Sequence, residues 1–193
     1  MGITFHHIAT KFEELEKISS RNDMSVIISE LFLGIDTEER QILSYMLQGR
    51  VAPLFVVSEF NLSEKSIFKL LGNILSSKGA KYDLEGRRIK LGDVGEVVKE
   101  VTEQLRYESK ELSLSEVYEY MWQIIQSSGT GSAEKKANIV GELFGKMSPV
   151  ESKYLARIIC GELRLGINAK SVLDAFSNIM QGDKGKRELL DRV

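Results

Sequence analysis

The chain has 193 residues, of which 42% are hydrophobic and 28% are charged. This composition is sufficient for a domain with a hydrophobic core and excludes intrinsic disorder. The 26 Lys and Arg against 28 Asp and Glu give a formal net charge of −2, so any surface that binds a polyanion must be local.

Cysteine use and the N-terminal sequence favour a cytoplasmic protein. Cys160 is the only cysteine, so no internal disulfide can form and a reducing compartment is expected. The sequence contains no run of about 18 apolar residues, the length needed to cross a membrane. It also does not begin with a basic segment followed by an apolar one. We therefore expect no contact with a membrane.

Four helices are predicted in the first part of the chain because apolar residues recur there at spacings of three and four. Phe5, Ile8 and Phe12 share one such face, and Asp36 with Glu39 forms the pattern of a capping box at a helix start. The predicted helices cover about residues 5–19, 26–31, 37–47 and 64–75.

The pattern changes over residues 78–92. Apolar residues flank Glu85 and Gly86 there, which predicts either a small hairpin near residues 80–91 or an irregular loop.

Helical spacing returns in the second part of the chain. The predicted helix starts are Asp93, Ser113 with Glu116, Ser132, and Ser148 with Pro149 and Glu151. A last complete helix covers about residues 169–180, and another begins near Lys184. The sequence therefore predicts an all-α fold whose C-terminal end looks truncated.

The chain contains an internal repeat. A shift of 112 residues aligns positions 25–53 with positions 137–165 without a gap, and 7 of the 29 positions are identical. The same shift superposes the predicted caps Asp36 and Ser148 and the helix-ending glycines Gly49 and Gly161. This pattern predicts two related helical units, packed with approximate twofold symmetry, that present equivalent loops on one surface.

Both units carry residues suited to phosphate binding. Glycines at positions 161 and 166 flank Arg164, and Arg50 stands in the first unit's loop. Helix starts provide amide groups beside a cation or hydroxyl at Ser20, Arg21, Ser132, Lys135 and Lys136. Between positions 129 and 170 the chain has seven basic and four acidic residues, an excess of three positive charges.

An ordered set of motifs resembles a known family. The segment ESKYLARIICGELRLG at 151–166 follows GTGS at 129–132 and a lysine pair at 135–136. With FEELE at 12–16, GDVG at 92–95 and VLDA at 172–175, it resembles the N-terminal DNA-binding domain of archaeal and eukaryotic-type ATP-dependent DNA ligases. The likeness covers nearly the whole chain, which we take as one domain, 1–193, with halves of about 1–110 and 111–193.

The resemblance implies an all-helical, two-halved domain that grips nicked duplex DNA without sequence preference, chiefly through phosphates across the minor groove. It implies phosphate contacts at Ser20, Arg21, Ser132, Lys135, Lys136, Gly161, Arg164 and Gly166. Glu162 departs from the pattern, because some relatives carry a basic residue there. The parent enzyme would seal nicks in replication, repair and recombination after adenylating itself with ATP and magnesium.

Catalytic residues are not predicted in this chain. The family's adenylation motif is Lys-x-Asp-Gly, whereas the nearest string here, Lys81 to Leu84, has leucine in place of the glycine. No phosphate-binding GxxxxGK[ST] loop or metal-ligand pattern occurs. We therefore expect no cofactor in this chain and no ligase activity from it alone.

Two other classes of function and one further partner stay open. A winged-helix regulator would use residues 63–75 as its recognition helix and the possible hairpin as its wing. A helical scaffold that binds only proteins would agree with the net charge of −2. Gln104 and Tyr107 retain part of a sliding-clamp motif seen in archaeal relatives, but Glu108 replaces its second aromatic residue. We expect a monomer.

Overall fold

Helices account for most of the chain. The computed structural model describes residues 2–192, and no strand pairing occurs in this range except one bridge between Thr4 and Ser113. The all-α prediction is confirmed. Within the same range, no helix is long and apolar enough to cross a membrane. The helices are α1 (Phe5–Glu16), α2 (Arg21–Leu33), α3 (Thr37–Met46), α4 (Glu64–Ser77), α5 (Leu84–Leu91), α6 (Val94–Leu105), α7 (Leu114–Gln126), α8 (Ser132–Lys146), α9 (Pro149–Ile159), α10 (Ala169–Gln181) and α11 (Arg187–Leu190).

The predicted capping boxes are present. At the start of α3, Asp36 accepts a hydrogen bond from the amide of Glu39 at 2.9 Å, and Glu39 accepts one from the amide of Asp36 at 3.3 Å. The starts of α7 and α9 have the same reciprocal arrangement. Local hydrogen bonding therefore determines these three helix starts.

The predicted hairpin near residues 80–91 is wrong, because this segment forms α5. Asp83 caps the helix, and the Arg87 guanidinium on its first turns donates to the Glu100 carboxylate of α6 at 2.8 Å. The spacing of the apolar residues is compatible with the period of a strand and with that of a helix. The cap and the ion pair favour the helix. The winged-helix alternative is wrong as well, because the described residues contain no wing.

The sequence repeat corresponds to a structural one. Helices α2 and α3 match α8 and α9, and the caps Asp36 and Ser148 begin α3 and α9. Each pair is followed by a glycine in the left-handed region, Gly49 with a φ of 72° and Gly161 with a φ of 70°. Side chains rarely adopt this conformation, so glycine is the favoured residue at both turns.

Reciprocal contacts relate the two repeats. The amide of Phe5 donates to the carbonyl of Leu112 at 2.8 Å, and the amide of Leu114 donates to the carbonyl of Ile3 at 2.9 Å. Helix α1 packs on α9, and the matching helix α7 packs on α3. Such exchanged pairs are expected of residues beside a local twofold axis.

Helix α6 packs closely against α9. A Cβ atom added at Gly95 would lie 2.8 Å from the carbonyl oxygen of Lys153 and 2.8 Å from Cγ of Arg157. The absence of a side chain at Gly95 therefore permits the contact between the two helices.

A buried ionic network joins α1, α6 and α9. Arg157, whose side chain is 2% exposed, donates to Asp93 at 3.1 Å and to Glu16 at 3.0 Å. Lys153 binds Glu16 at 2.9 Å, and the Tyr154 hydroxyl donates to the same carboxylate at 2.8 Å. Burial alone would raise the pKa of Glu16, but hydrogen bonds from Arg157, Lys153 and Tyr154 lower it to about 2.

We expect this network to make the domain sensitive to acid. Because the pKa of Glu16 is lowered in the folded state, its stabilising effect is complete above its ordinary value of 4.5 and is lost as pH falls toward about 2. Allowing for solvent screening, this group should contribute about 2 kcal/mol to the free energy of unfolding at neutral pH.

Urea titrations of the wild type and Glu16→Gln at about pH 6 and about pH 3 measure this contribution. The variant should be less stable at the higher pH and should lose less stability on acidification. Equal losses in the two proteins would contradict the prediction.

Candidate nucleic-acid interface

The turns after α3 and α9 share one backbone geometry. The amide of Arg50 donates to the carbonyl of Tyr45 at 3.1 Å, and the amide of Glu162 donates to the carbonyl of Arg157 at 2.8 Å. Each bond spans a glycine of positive φ and satisfies a carbonyl group at the end of the helix. The two loops are therefore equivalent in structure as well as in sequence.

The two loops lie side by side. A cavity of about 320 Å³ is lined by residues 47–49 of the first loop and residues 161–167 of the second. A Cβ atom at Gly49 would lie 3.6 Å from Cβ of Leu163. Gly161 and Gly166 are exposed, so their backbone is accessible from solvent. The structure thus forms one surface from both loops.

Arg164 is held by neighbouring groups. Its guanidinium donates to the carbonyl of Gly92 at 2.8 Å and to the Glu162 carboxylate at 2.6 Å, and it lies 3.3 Å from Asp93. Its side chain is nevertheless 43% exposed. A phosphate that binds Arg164 must therefore compete with two carboxylates.

Arg50 in the first loop has a less acidic environment. Its guanidinium donates to the side-chain oxygen of Gln48, and it makes no ion pair with any described residue. Residues 50–58 contain no Asp or Glu. Of the two loops, the first therefore leaves its arginine freer to bind an anion.

Two helix starts carry the predicted phosphate-binding groups. Ser20 caps α2 and accepts a hydrogen bond from the amide of Asp23 at 3.4 Å, and Arg21 beside it is exposed. At the start of α8, Gly131 occupies the cap position, so the prediction that Ser132 caps this helix is wrong. Ser132 is instead the first helical residue, half-buried, and Lys135 is exposed.

Lys136 has a structural role in this arrangement. It is 5% exposed, and its ammonium donates to the carbonyl of Phe60 at 2.6 Å. This bond ties the second turn of α8 to the long segment between α3 and α4. The geometry does not present Lys136 to a phosphate, unlike its neighbour Lys135.

Most of the basic side chains between positions 129 and 170 bind groups within the domain. Five of the seven basic side chains bind carboxylates or a carbonyl within the domain, namely Lys136, Lys146, Lys153, Arg157 and Arg164. Lys135 and Lys170 are exposed and make no ion pair with the described residues. The local positive charge is therefore smaller than the sequence count suggests.

The predicted clamp-binding segment lies at the end of α6. Gln104 donates to the carbonyl of Lys81 at 3.5 Å. The Tyr107 ring is half-buried, and the ammonium of Lys78 lies 4.3 Å from its centre. These contacts hold both residues against the domain, and clamp binding stays a prediction.

The aspartate of the incomplete adenylation motif has a structural role. Asp83, the aspartate of the incomplete adenylation motif, caps α5 by accepting from the amide of Gly86 at 3.0 Å. Among residues 2–192, no group of three or more His, Cys, Asp or Glu side chains could hold a metal ion.

Sequence reasoning missed the exposed apolar residues between α3 and α4. Leu54, Phe55 and Val57 are each more than four-fifths exposed, although similar residues elsewhere form the core. The signal in the sequence was a run of four apolar residues directly after Pro53, at the end of the repeated region.

The fold and the paired loops define a helical domain built from a duplicated unit, with basic and glycine-rich turns on one surface. A family model described as "DNA ligase N terminus" matches residues 4–177. The chain belongs to this family, which confirms the resemblance found in its motifs.

Several relatives agree with this assignment. The chain is 36% identical over 189 residues to the "Probable DNA ligase" of Dictyoglomus turgidum, covering 98% of this chain and 32% of that protein. It is 33% identical over 200 residues to the "DNA ligase" of Sulfolobus acidocaldarius, covering 98% and 33%. For the "DNA ligase 1" of Methanosarcina acetivorans it is 29% identical over 182 residues, covering 94% and 30%. The chain thus spans about one third of the length of these curated relatives.

Proposed function

We propose that this chain binds nicked duplex DNA without sequence preference, as the DNA-binding domain of an ATP-dependent DNA ligase. The parent enzyme would use ATP and magnesium in other parts of its chain to seal the nick. The observation that carries the proposal is the shared surface formed by the equivalent loops at Gly49 and Gly161.

The symmetry of the domain supports a duplex as the ligand. Contacts of α1 with α9 and of α7 with α3 join the two proposed halves, about residues 1–110 and 111–193, in a reciprocal way. Each half supplies one loop and one exposed cation at a helix start, Arg21 or Lys135. Because duplex DNA has local twofold axes of its own, two such halves can contact phosphates on both strands.

We expect contacts with the DNA backbone to favour a nicked duplex without favouring any base sequence. The candidate groups are loop glycines and cations at turns and helix starts, which suit contacts with phosphates, so we expect base identity to matter little. A nick removes one backbone linkage, and the duplex then bends at a smaller energetic cost. A protein with a rigid, two-halved surface therefore gains affinity at a nick.

Fluorescence anisotropy with nicked and intact duplexes of two unrelated sequences tests the proposal. We expect about ten-fold tighter binding to the nicked duplex and nearly equal binding to the two sequences. Arg21→Ala and Arg50→Ala should each weaken binding about three- to ten-fold. Lys81→Ala is the matched control, since Lys81 is exposed and lies beyond the far end of α4.

Two outcomes would contradict the proposal. Strong preference for one sequence would indicate direct base readout, which contradicts binding through the DNA backbone. Absence of binding to any duplex would favour the remaining alternative, a helical scaffold that binds proteins.

A further inference from the structure

The segment between α3 and α4 presents a cluster of apolar side chains to solvent. Leu54, Phe55 and Val57 are 86%, 88% and 87% exposed. Large apolar side chains grouped at one tip are unusual on a protein surface and indicate an interaction site.

The tip projects from a fixed base. Val51 and Ala52, which precede it, are buried, and the hydroxyl of Tyr118 donates to the carbonyl of Val51 at 2.9 Å. The amide of Val56 donates to the carbonyl of Pro53 at 3.0 Å and closes a turn. At the other end, Lys136 holds the carbonyl of Phe60 at 2.6 Å. Anchors on both sides therefore limit the freedom of the exposed residues.

This apolar tip is continuous with the candidate nucleic-acid interface. The chain enters it directly from Gly49 and Arg50, and a cavity of about 840 Å³ separates it from the turn at Gly161. Arg50 and Glu59 are the two charged residues that line this cavity, and Arg50 makes no ion pair with the described residues. One cation beside protruding apolar side chains is complementary to a phosphate backbone flanking a groove lined by sugars and base edges.

We propose that Leu54 and Phe55 insert as an apolar wedge into the minor groove of the nicked duplex. This inference rests on the proposed function and assigns it two residues that contact the groove floor and the sugars. Minor-groove proteins use such side chains to open base steps partially, and a nick lowers the cost of opening the step beside it. The position of Arg50 at the base of the tip favours DNA over a second copy of the chain or another protein.

The experiment compares wild type with Phe55→Ala on nicked duplex. Because stacking and groove contacts are lost, the dissociation constant should rise about ten-fold. The salt dependence of binding should be unchanged, since the substitution removes no cation. A 2-aminopurine base beside the nick should brighten on binding wild type and brighten less on binding the variant.

Two further variants serve as controls. Leu33→Ala removes a 63% exposed apolar side chain at the end of α2, outside the candidate interface, and should bind DNA as wild type does. Phe55→Trp keeps an aromatic wedge and should retain most of the affinity. Since Phe55 contacts solvent, its variants should melt at the same temperature as wild type.

The measurements distinguish an incorrect wedge proposal from an incorrect proposed function. If Phe55→Ala binds like wild type while Arg50→Ala binds more weakly, the wedge is overturned and the proposed function stands. If neither wild type nor variant binds any duplex, both are overturned. A Phe55→Ala variant with unchanged DNA affinity but a smaller sedimenting mass would show that the tip joins two copies of the chain, which also overturns the wedge.

Discussion

Replacing Arg157 by alanine should lower the free energy of unfolding by about 4 kcal/mol and the melting temperature by roughly 10 °C. The guanidinium, 2% exposed, lies between Asp93 and Glu16 and contacts both within 3.1 Å. Its removal leaves Asp93 without its closest cation and Glu16 with Lys153 as its remaining cation, and the 7% exposure of the Asp93 side chain prevents water from replacing the guanidinium fully. Removing the guanidinium therefore lowers the free energy of unfolding by more than the intact ion pair contributes to it.

Arg164→Ala is the matched control for this prediction. Both arginines contact Asp93, but the side chain of Arg164 is 43% exposed and its departure leaves groups that water can reach. We expect a loss below about 1 kcal/mol. Thermal and urea unfolding of the two variants measure the contrast, and similar losses would show that burial does not determine the strength of this network.

The helix starts with capping boxes were predictable from the sequence because their chemistry is local. A capping box needs only two residues three positions apart, as at Asp36 and Glu39, and such pairs were found where the sequence placed them. The glycines at 49 and 161 were predictable for the same reason, since a turn of positive φ selects glycine without help from distant residues. The repeat followed from these local signals.

The environment of charged residues was not predictable in this way. Lys153 and Arg157 counted as surface charge in the sequence, yet α1 and α6 bring Glu16, Glu96 and Asp93 against them. These acids lie more than fifty positions away along the chain. A local charge count therefore overestimates the positive surface wherever a helix face turns toward acidic neighbours.

The hairpin prediction for residues 80–91 was wrong for a related reason. A short segment that mixes apolar residues with four basic side chains is compatible with strand or helix by its spacing alone. The choice depends on Glu100 and Glu64, which pair with Arg87 and Arg88 from α6 and α4. Contacts with distant residues therefore determine the choice between strand and helix, which local propensity does not specify here.

The affinity of the domain for nicked DNA should fall roughly 100-fold when salt rises from about 50 to about 200 mM. Four candidate cations are exposed or half-buried and have no ion pair with the described residues, namely Arg21, Arg50, Lys135 and Lys170. Neutralising about four phosphates gives a slope of about −3.6 in a plot of log affinity against log salt. A slope near zero would exclude phosphate contacts as the source of binding.

Two adjacent lysines, one exposed and one buried, test whether exposure determines which cations contribute to this slope. Lys135→Ala should reduce the magnitude of the slope by about 0.9 and leave the melting temperature unchanged, because an exposed cation is lost. Lys136→Met should leave the slope unchanged and lower the melting temperature by a few degrees, because the carbonyl of Phe60 loses its buried donor. Both variants are compared below their melting temperatures at several salt concentrations. If Lys136→Met changes the slope as much as Lys135→Ala does, its ammonium reaches the phosphate in the complex, and the bond to Phe60 must break when DNA binds.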